Sequence, residues 1–418
     1  MRVLITNFEL VHHGGSQGYV RDVATGLAAR GLQPLVFTPH PGPAADALRA
    51  AAIPVVDDPA RLGEAPDVIH GQHHLPTMTA LLAWPGVPAV SFCHGWLPPQ
   101  ELPPRHPRIL RYVAVDRLRR ERLVSEEGIA PERVEVLPNF VDLRRFRPRP
   151  PLPARPRRAL VFSNQTAEGG WLEAVRAACR GFGIAVDVVG LSSGRVIERP
   201  EEILPGYDLV FARGRSAMEA MAVGAAVVLC DMEGAGPLVT RAAVERLRDA
   251  NFGLAALTAP ATVRHLAEQI DRYDAADAAA VSAWVRQHAD VERVLDRLVA
   301  IYREVVAEAA AAPAPSPADE SRSAAAYLLR WNRAAEEAER VLAATHTRKA
   351  ALEGAFALAE AQRGELRTER DALRREALEL RAALGELRST AAFRVREWLL
   401  ARPSLAAAYQ RLRTVGGR

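Results

Sequence analysis

Residues 206–240 read GYDLVFARGRSAMEAMAVGAAVVLCDMEGAGPLVT, and the alternation within them decides the fold. The apolar run 209–211 predicts a buried strand, and Arg213-Gly214-Arg215 predicts a tight turn. Ser216 then stands at a predicted helix N-cap, and Glu219 three residues on completes a capping-box pattern. A second apolar run at 226–229 predicts the next strand, followed by a glycine loop at 234–236. A glycine turn that feeds a helix leaves backbone N–H groups and the positive end of the helix dipole facing outside the sheet. A diphosphate fits such a place, with Arg213 and Arg215 as its cations.

Working outward, 418 residues exceed one hydrophobic core, so two or three domains are expected. Apolar residues make up 49% and charged residues 25%, the balance of a soluble globular protein. The net charge is only +4, and Lys349 is the sole lysine among many arginines. No compact basic stripe with interleaved aromatics occupies the first 300 residues, so nucleic acid is not an expected partner. Cys93, Cys179 and Cys230 lack C-x-x-C spacing, which argues against a zinc cluster or a disulfide framework and for a reducing cytoplasm. The N-terminus passes straight into a predicted strand without a signal-peptide pattern, and no apolar run reaches the roughly 18 residues of a membrane span.

The remainder repeats the strand and helix alternation. Residues 3–6 predict a strand, Gly14-Gly15 a loop, and Tyr19, Val20, Val23 and Leu27 a helix closed by Gly31. The spacing of Gly14, Gly15 and Gly18 departs from the dinucleotide fingerprint. Further strands are expected at 34–38, 53–56, 67–70, 89–93, 112–115 and 134–137, then at 159–162 and 186–189. This is a doubly wound α/β pattern given twice, with ligands expected beyond the carboxyl ends of the strands. His70, His73, His74 and His94 all follow such ends. Each is read either as a group for a sugar or a proton, or as an ordinary satisfied loop histidine. No carboxylate is spaced to complete a metal site with them.

The expected organisation is a first domain at 1–150, a second at 151–310, a hinge at 311–319 and a helical tail at 320–418. RPPLPARPRRA at 149–159 is read as an exposed stiff linker, and AAPAPSPAD as the hinge. In the tail, Leu366, Leu373, Leu380 and Leu387 recur at heptad spacing, with Leu352 and Ala359 upstream. Their companions are Phe356, Arg363, Arg370, Ala377 and Leu384, an imperfect zipper. Two readings stay open there: a homo-oligomer formed through the helix, or one long helix that packs back or stays solvated. Phe393, Trp398, Leu399 and Leu400 among Arg394, Arg396 and Arg402 fit either a peripheral contact with the inner face of a membrane or a docked terminal helix.

The N-terminal strand with its Gly14-Gly15 loop, APERVEVLPNFVDLRRFRP at the domain junction and SAMEAMAVGAAVVLCD together resemble the family 4 glycosyltransferases. The resemblance covers roughly residues 1–300. It implies two facing Rossmann-like domains, the GT-B fold, and retaining transfer of a sugar from a nucleotide-sugar to a glycan, lipid or protein acceptor. Glu219 is similar to the glutamate that bonds the nucleotide ribose, with Arg215, Ser216 and Ala217 near the diphosphate. Gly14 and Gly15 are similar to the loop approached by phosphate or sugar, and His94 to the histidine on the transferred sugar. His94 and Glu219 are thus the implied catalytic pair, and Asn164 and Gly214 join the implied donor set. The sequence departs from the family in two places. Phe211 stands where a first glutamate is usual, and SNQTAEGGWLEA lacks the usual basic pair. No D-x-D pair is present, so neither metal nor other cofactor is expected. A non-catalytic scaffold that recruits a partner through its tail, or an epimerase of the same fold, are the alternatives.

Overall fold

The computed structural model describes residues 1–12, 14–95, 99–164, 170–403, 406–407 and 410. One compact unit spans Met1–Trp331 and a second Asn332–Arg418. The first unit opens with β1 (Arg2–Thr6), α1 (Gly15–Ala29), β2 (Gln33–Phe37), α2 (Pro43–Ala50), β3 (Val55–Val56), β4 (Val68–Gln72) and α3 (His74–Ala83). It continues with β5 (Ala89–Cys93), β6 (Ile109–Ala114), α4 (Arg117–Ser125) and β7 (Val134–Val136). A second sheet domain holds β8 (Arg158–Phe162), α5 (Trp171–Gly181), β9 (Ala185–Val189), α6 (Pro200–Ile203), β10 (Leu209–Ala212) and α7 (Gly214–Val223). There follow β11 (Ala226–Asp231), β12 (Gly234–Leu238), α8 (Val244–Asp249), α9 (Val263–Asp271), α10 (Ala275–His288) and α11 (Val291–Ala311). The tail is α12 (Pro317–Ser389) and α13 (Ala391–Leu400).

Among the described residues the first sheet has the order β3-β2-β1-β4-β5-β6-β7, and the second β12-β11-β10-β8-β9. All neighbours run parallel except β11 and β12. Parallel strands need crossover helices on both faces, so they are buried on both sides and read as continuous apolar runs. That is why the strands were readable. Strand order reverses between β1 and β4 in the first sheet and between β8 and β10 in the second. At such a reversal the crossovers leave to opposite faces and open a crevice beyond the strand ends.

Four expectations need correction. The glycine loop after β11 is the antiparallel edge strand β12, held by Ala235 N–H bonded to the Ala259 carbonyl at 2.7 Å. Gly236 lies in it because a Cβ there would come within 2.3 Å of the Ala256 carbonyl oxygen. Ser216 is not the N-cap of α7. The helix starts earlier, with Arg213 as N-cap and no side-chain cap bond, because Gly214 adopts φ +58° and turns the chain at once. The linker is not wholly exposed either, since Arg149 pairs with Asp208 at 3.0 Å and its N–H bonds the Val223 carbonyl.

The fourth correction concerns the domain boundary at 310. Helix α11 returns to the first domain and packs on α1, β4, β5 and β6. Leu295, Leu298, Ile301, Tyr302 and Val305 join Val20, Val23 and Leu27 in one buried core. Each such side chain contributes about 1.5–3 kcal/mol through burial. Gly26 permits the approach, since a Cβ there would fall 2.2 Å from Leu295 Cδ1. Likewise, the opening turns of α12 belong to the first unit: Glu320 pairs with Arg108 at 2.9 Å, and Arg330 with Glu127 at 2.7 Å.

Candidate active site

The loops that leave β1, β5, β6, β8 and β10 converge on one cleft. On the second-domain side, Ala212 ends β10 and Gly214 N–H donates to the Phe252 carbonyl at 2.8 Å, which fixes the start of α7 against the following loop. Arg213 Nε donates to the buried Asp231 carboxylate, and its side chain stays one-third exposed in the cleft. Arg215 is nearly buried. Its Nη2 donates to Asp22 Oδ2 of α1 at 2.6 Å, and Glu219 lies 3.5 Å away. Its guanidinium also rests over the Phe140 ring at 5.2 Å, while Nη1, though buried, has no hydrogen-bond partner. An unpartnered guanidinium nitrogen in a cleft is a standing demand for an anionic oxygen.

Asp22 ties the domains together. Besides Arg215 it receives Arg21 at 3.1 Å and Arg145 at 3.2 Å, and Arg145 reaches on to Glu201 at 2.7 Å. Burial opposes its ionisation, but the guanidiniums, Arg215 foremost, overcome that and hold its carboxyl below the usual range. At Glu219 the balance is the reverse. Burial raises its carboxyl above the ordinary value despite Arg215.

On the first-domain side, α1 begins at Gly15 with Gly14 as its N-cap. A Cβ at Gly14 would meet Gln17 Oε1 at 2.6 Å and Asn164 Nδ2 at 3.5 Å, whereas one at Gly15 would meet nothing within 4 Å. Gly15 therefore faces open cleft. His94 follows β5, its ring edge-on to Tyr19 at 4.4 Å between centroids, and its Nε2 is buried without a partner. Burial lowers its pKa to about 4, so the imidazole is neutral near pH 7. A relay steadies the loop behind it. His73, at a strained φ of +61°, accepts from Phe8 N–H at 3.0 Å through Nδ1, which puts its proton on Nε2, 3.5 Å from Glu101. Glu101 in turn accepts from Gly95 N–H at 3.0 Å. Burial works against its charge, yet the His73 bond and the Gly95 N–H hold its pKa at about 2.

Two adjoining cavities share Gly15, Phe162, Ser163, Asn164, Arg215 and Ser216. The smaller, about 110 Å³, continues to Gln17, Arg21, Glu198 and Glu219. The larger, about 350 Å³, continues to His94, Arg119, Asn139, Arg213, Gly214 and Asn251. Arg215 and Ser216 thus stand between a chamber containing Glu219 and one containing His94. Asn164 lines both, anchored by its Oδ1, which accepts from Leu191 N–H at 3.3 Å.

Most of the expected site residues meet here: Gly14, Gly15, His94, Asn164, Arg213, Gly214, Arg215, Ser216 and Glu219. Ala217 does not. Its side chain is fully buried in the second-domain core and lines neither cavity. Of the four histidines, His70 is a core group, stacked on Phe92 at 3.7 Å and bonded to Tyr302 Oη at 2.5 Å. His74 is bonded to Tyr327 Oη at 2.7 Å. Phe211 is fully buried inside β10, so the position eight residues before Glu219 is a strand interior rather than a place on the cleft wall. Residues 165–169 of the segment lacking the basic pair lie outside the described residues.

Sequence reasoning missed Asp22, Arg119 and Asn251. Asp22 carried one signal, an acid set within the apolar face of α1. Arg119 carried none, being one of several arginines in RLRRERL. In the cleft it is bonded to Asp116, its Nε is unpartnered, and its charge adds to the burial that chiefly lowers the pKa of Arg213. Asn251, at φ +51°, accepts from Asn139 N–H at 3.2 Å and leaves Asn139 Oδ1 unpartnered.

Residues 13–145 match the family model described as Glycosyltransferase Family 4. The chain carries a glycosyltransferase family 4 domain. The glycosyltransferase is similar in fold to the glycosyltransferase of Rickettsia africae ESF-5, at 15% identity and TM-score 0.55, over 73% of this chain and 98% of that one. It is also similar to Anabaena Alr3699/HepE in complex with UDP and glucose, at 16% identity and TM-score 0.53, over 72% and 99% of the two chains. The same Anabaena protein with UDP-glucose gives TM-score 0.51 at 16% identity, over 73% and 100%. These likenesses carry the two-domain GT-B fold. No curated protein sequence matches the chain. Among the described residues, no group of three or more His, Cys, Asp or Glu could hold a metal ion, and no helix is long and apolar enough to cross a membrane. Cys93, Cys179 and Cys230 are free thiols, all buried.

Proposed function

We propose that this glycosyltransferase binds a nucleoside diphosphate sugar lengthwise through the two cavities and transfers the sugar to an acceptor hydroxyl on the His94 side. The observation that carries this reading is the position of Arg215 and Ser216 between the Glu219 chamber and the His94 chamber. A donor laid in that order puts its ribose at Glu219, its diphosphate at Arg215 and the start of α7, and its sugar beside His94. Arg119 and Arg213 face the same cavity and supply the positive charge that the missing basic pair leaves wanting. Anabaena Alr3699/HepE, bound to UDP-glucose, supports a uridine nucleotide as the first donor to try.

In the transfer, the bond from the anomeric carbon to the diphosphate oxygen breaks and the diphosphate leaves with the electron pair. The acceptor oxygen bonds to that carbon on the face the diphosphate leaves, and its proton passes to the departing diphosphate oxygen. Arg215, Arg213 and the N–H groups opening α7 oppose the charge that grows on the leaving oxygen, a stabilisation that strengthens when the cleft excludes water. Neutral His94 orients the sugar. We assign the reaction to the retaining, metal-independent class, with a glycan, lipid or protein acceptor. Exposed Val395 and Trp398, the latter under Arg402 at 3.8 Å, support a peripheral contact with an anionic membrane face.

The direct test combines thermal shift with UDP-, GDP- and dTDP-sugars and a measurement of acceptor-dependent release of nucleoside diphosphate. A donor selective for the folded state raises apparent stability. Epimerised donor formed without acceptor counts against transfer.

The His94 assignment carries its own pH prediction. With its pKa lowered from 6.5 to about 4, the fold favours the neutral ring. That contribution to stability is complete above about pH 6.5 and is lost as pH falls through about 4. The profile of kcat/KM for the donor is therefore expected to be flat from about pH 8 to pH 5 and to fall as pH nears 4. An inflection between about pH 6 and 7 that disappears in His94→Gln counts against a neutral buried ring.

A further inference from the structure

We propose that α12, beyond Trp331, pairs antiparallel with the same segment of a second copy of this chain. From residue 336 to residue 392 every position is exposed, including Leu352, Phe356, Leu366, Leu373, Leu380, Leu384 and Leu387, each at least half exposed. These side chains keep one heptad register, with Leu342, Phe356, Ala377 and Leu384 at a and Leu352, Leu366, Leu373, Leu380 and Leu387 at d. A seam of that length left in water calls for a partner helix.

The charges beside the seam identify that partner. Along the e flank the sequence runs Glu339, His346, Glu353 and Glu360, then Arg367, Arg374, Arg381 and Arg388, so that acids lead, with one histidine among them, and bases follow. Acid first and base second along one edge is complementary to itself when reversed. With Arg363 set against Leu366 of the second copy, Glu360 meets Arg367, Glu353 meets Arg374 and Glu339 meets Arg388, each pair formed twice by symmetry. The cations at core a positions decide the direction. In a parallel pair Lys349, Arg363 and Arg370 would each face their own copy, three like-charge layers inside the seam. In the antiparallel pair they face Leu380, Leu366 and Ala359 of the second copy, and the stems lie on apolar surface while the charged heads reach solvent. Parallel pairing also satisfies some flanking charges, such as Glu369 with Arg374, so the core layers rather than the rim set the preference.

Light scattering on the full chain is expected to give twice 45.4 kDa, and the monomer mass at micromolar concentration would overturn the pairing. For direction, Leu352→Cys and Ala377→Cys are prepared as separate single variants. The antiparallel register sets position 352 against 377, so the two mixed variants cross-link on oxidation while Ala377→Cys alone does not. Cross-linking of Ala377→Cys with itself would overturn the direction. The native thiols are buried and do not interfere. As a second reading, Glu353→Arg with Glu360→Arg is expected to weaken the dimer at least tenfold. Adding Arg367→Glu and Arg374→Glu to the same chain restores it only in the antiparallel arrangement, since a glutamate at 374 in a parallel pair faces Glu369. Failure of the fourfold variant to recover also counts against the direction. Glycosyl transfer is expected to continue in all of these variants.

Discussion

Arg215→Met is expected to lower kcat/KM for the donor by about 10²- to 10³-fold, the effect typical of removing one charged contact to a developing oxyanion. The side chain is nearly buried, holds Asp22 at 2.6 Å and keeps Nη1 without a partner between the two cavities. Methionine matches its stem and removes the fork. Asp22 keeps Arg21 and Arg145, so its charge is not stranded and the loss of stability should stay within about 1–3 kcal/mol. Rates of nucleoside diphosphate release at varied donor concentration, read beside chemical denaturation, separate the two effects. Arg215→Lys keeps a positive charge near Asp22 but cannot bond bidentately, and it should recover stability more than rate. An Arg213→Ala, Arg215→Ala double variant that turns donor over as fast as the unaltered enzyme would dispose of the arginine assignment.

Gly190→Ala is expected to destabilise the first unit by at least about 3 kcal/mol, the range of changes that force backbone strain. Gly190 sits at φ +146°, and a Cβ there would fall 1.7 Å from the Ser163 carbonyl oxygen, a backbone atom that cannot step aside. The displaced segment carries Ser163 and Asn164, both on the cleft, so the donor KM should rise along with the loss of stability. Thermal unfolding is the measurement, and a fall of at least about 4 °C is expected for a unit that spans Met1–Trp331. Gly15→Ala is the contrast. Its Cβ would meet nothing of the protein, so stability should hold while donor binding suffers, because the empty space beside Gly15 is where a ligand must approach. A stable Gly190→Ala protein with unchanged donor KM would show that the loop tolerates what its geometry forbids.

The strands and their parallel arrangement were legible because burial on both faces writes itself as short runs such as VLI in β1 and AVVLC in β11. The tail's helix was legible for the same reason, a local period. Much of the cleft could also be read, since a glycine turn before a helix and a histidine after a strand mark the places where loops leave a sheet. The helix cap at Ser216 was misread because the turn at Gly214 sets the cap at Arg213, three residues sooner than the generic pattern assumes. Glycines 234 and 236 look like a loop in sequence but form a strand paired antiparallel with β11 and bonded on its other side, at Ala235, to the distant Ala259.

What the sequence by itself determined was therefore what depends on neighbours within a turn or a strand: most of the element types, the paired α/β architecture and the heptad spacing of the tail. What only the tertiary structure decided was which distant charges meet. Asp22 and Arg215 lie 193 positions apart, yet they join at 2.6 Å. Helix α11 leaves the second domain to complete the first domain's core, and Tyr302 and Tyr327 turn His70 and His74 into bonded structural groups while His94 keeps a free nitrogen in the cleft. The physical reason is that local backbone preference is set by a residue and its near neighbours, whereas the protonation and pairing of a buried group are set by whatever the fold packs against it.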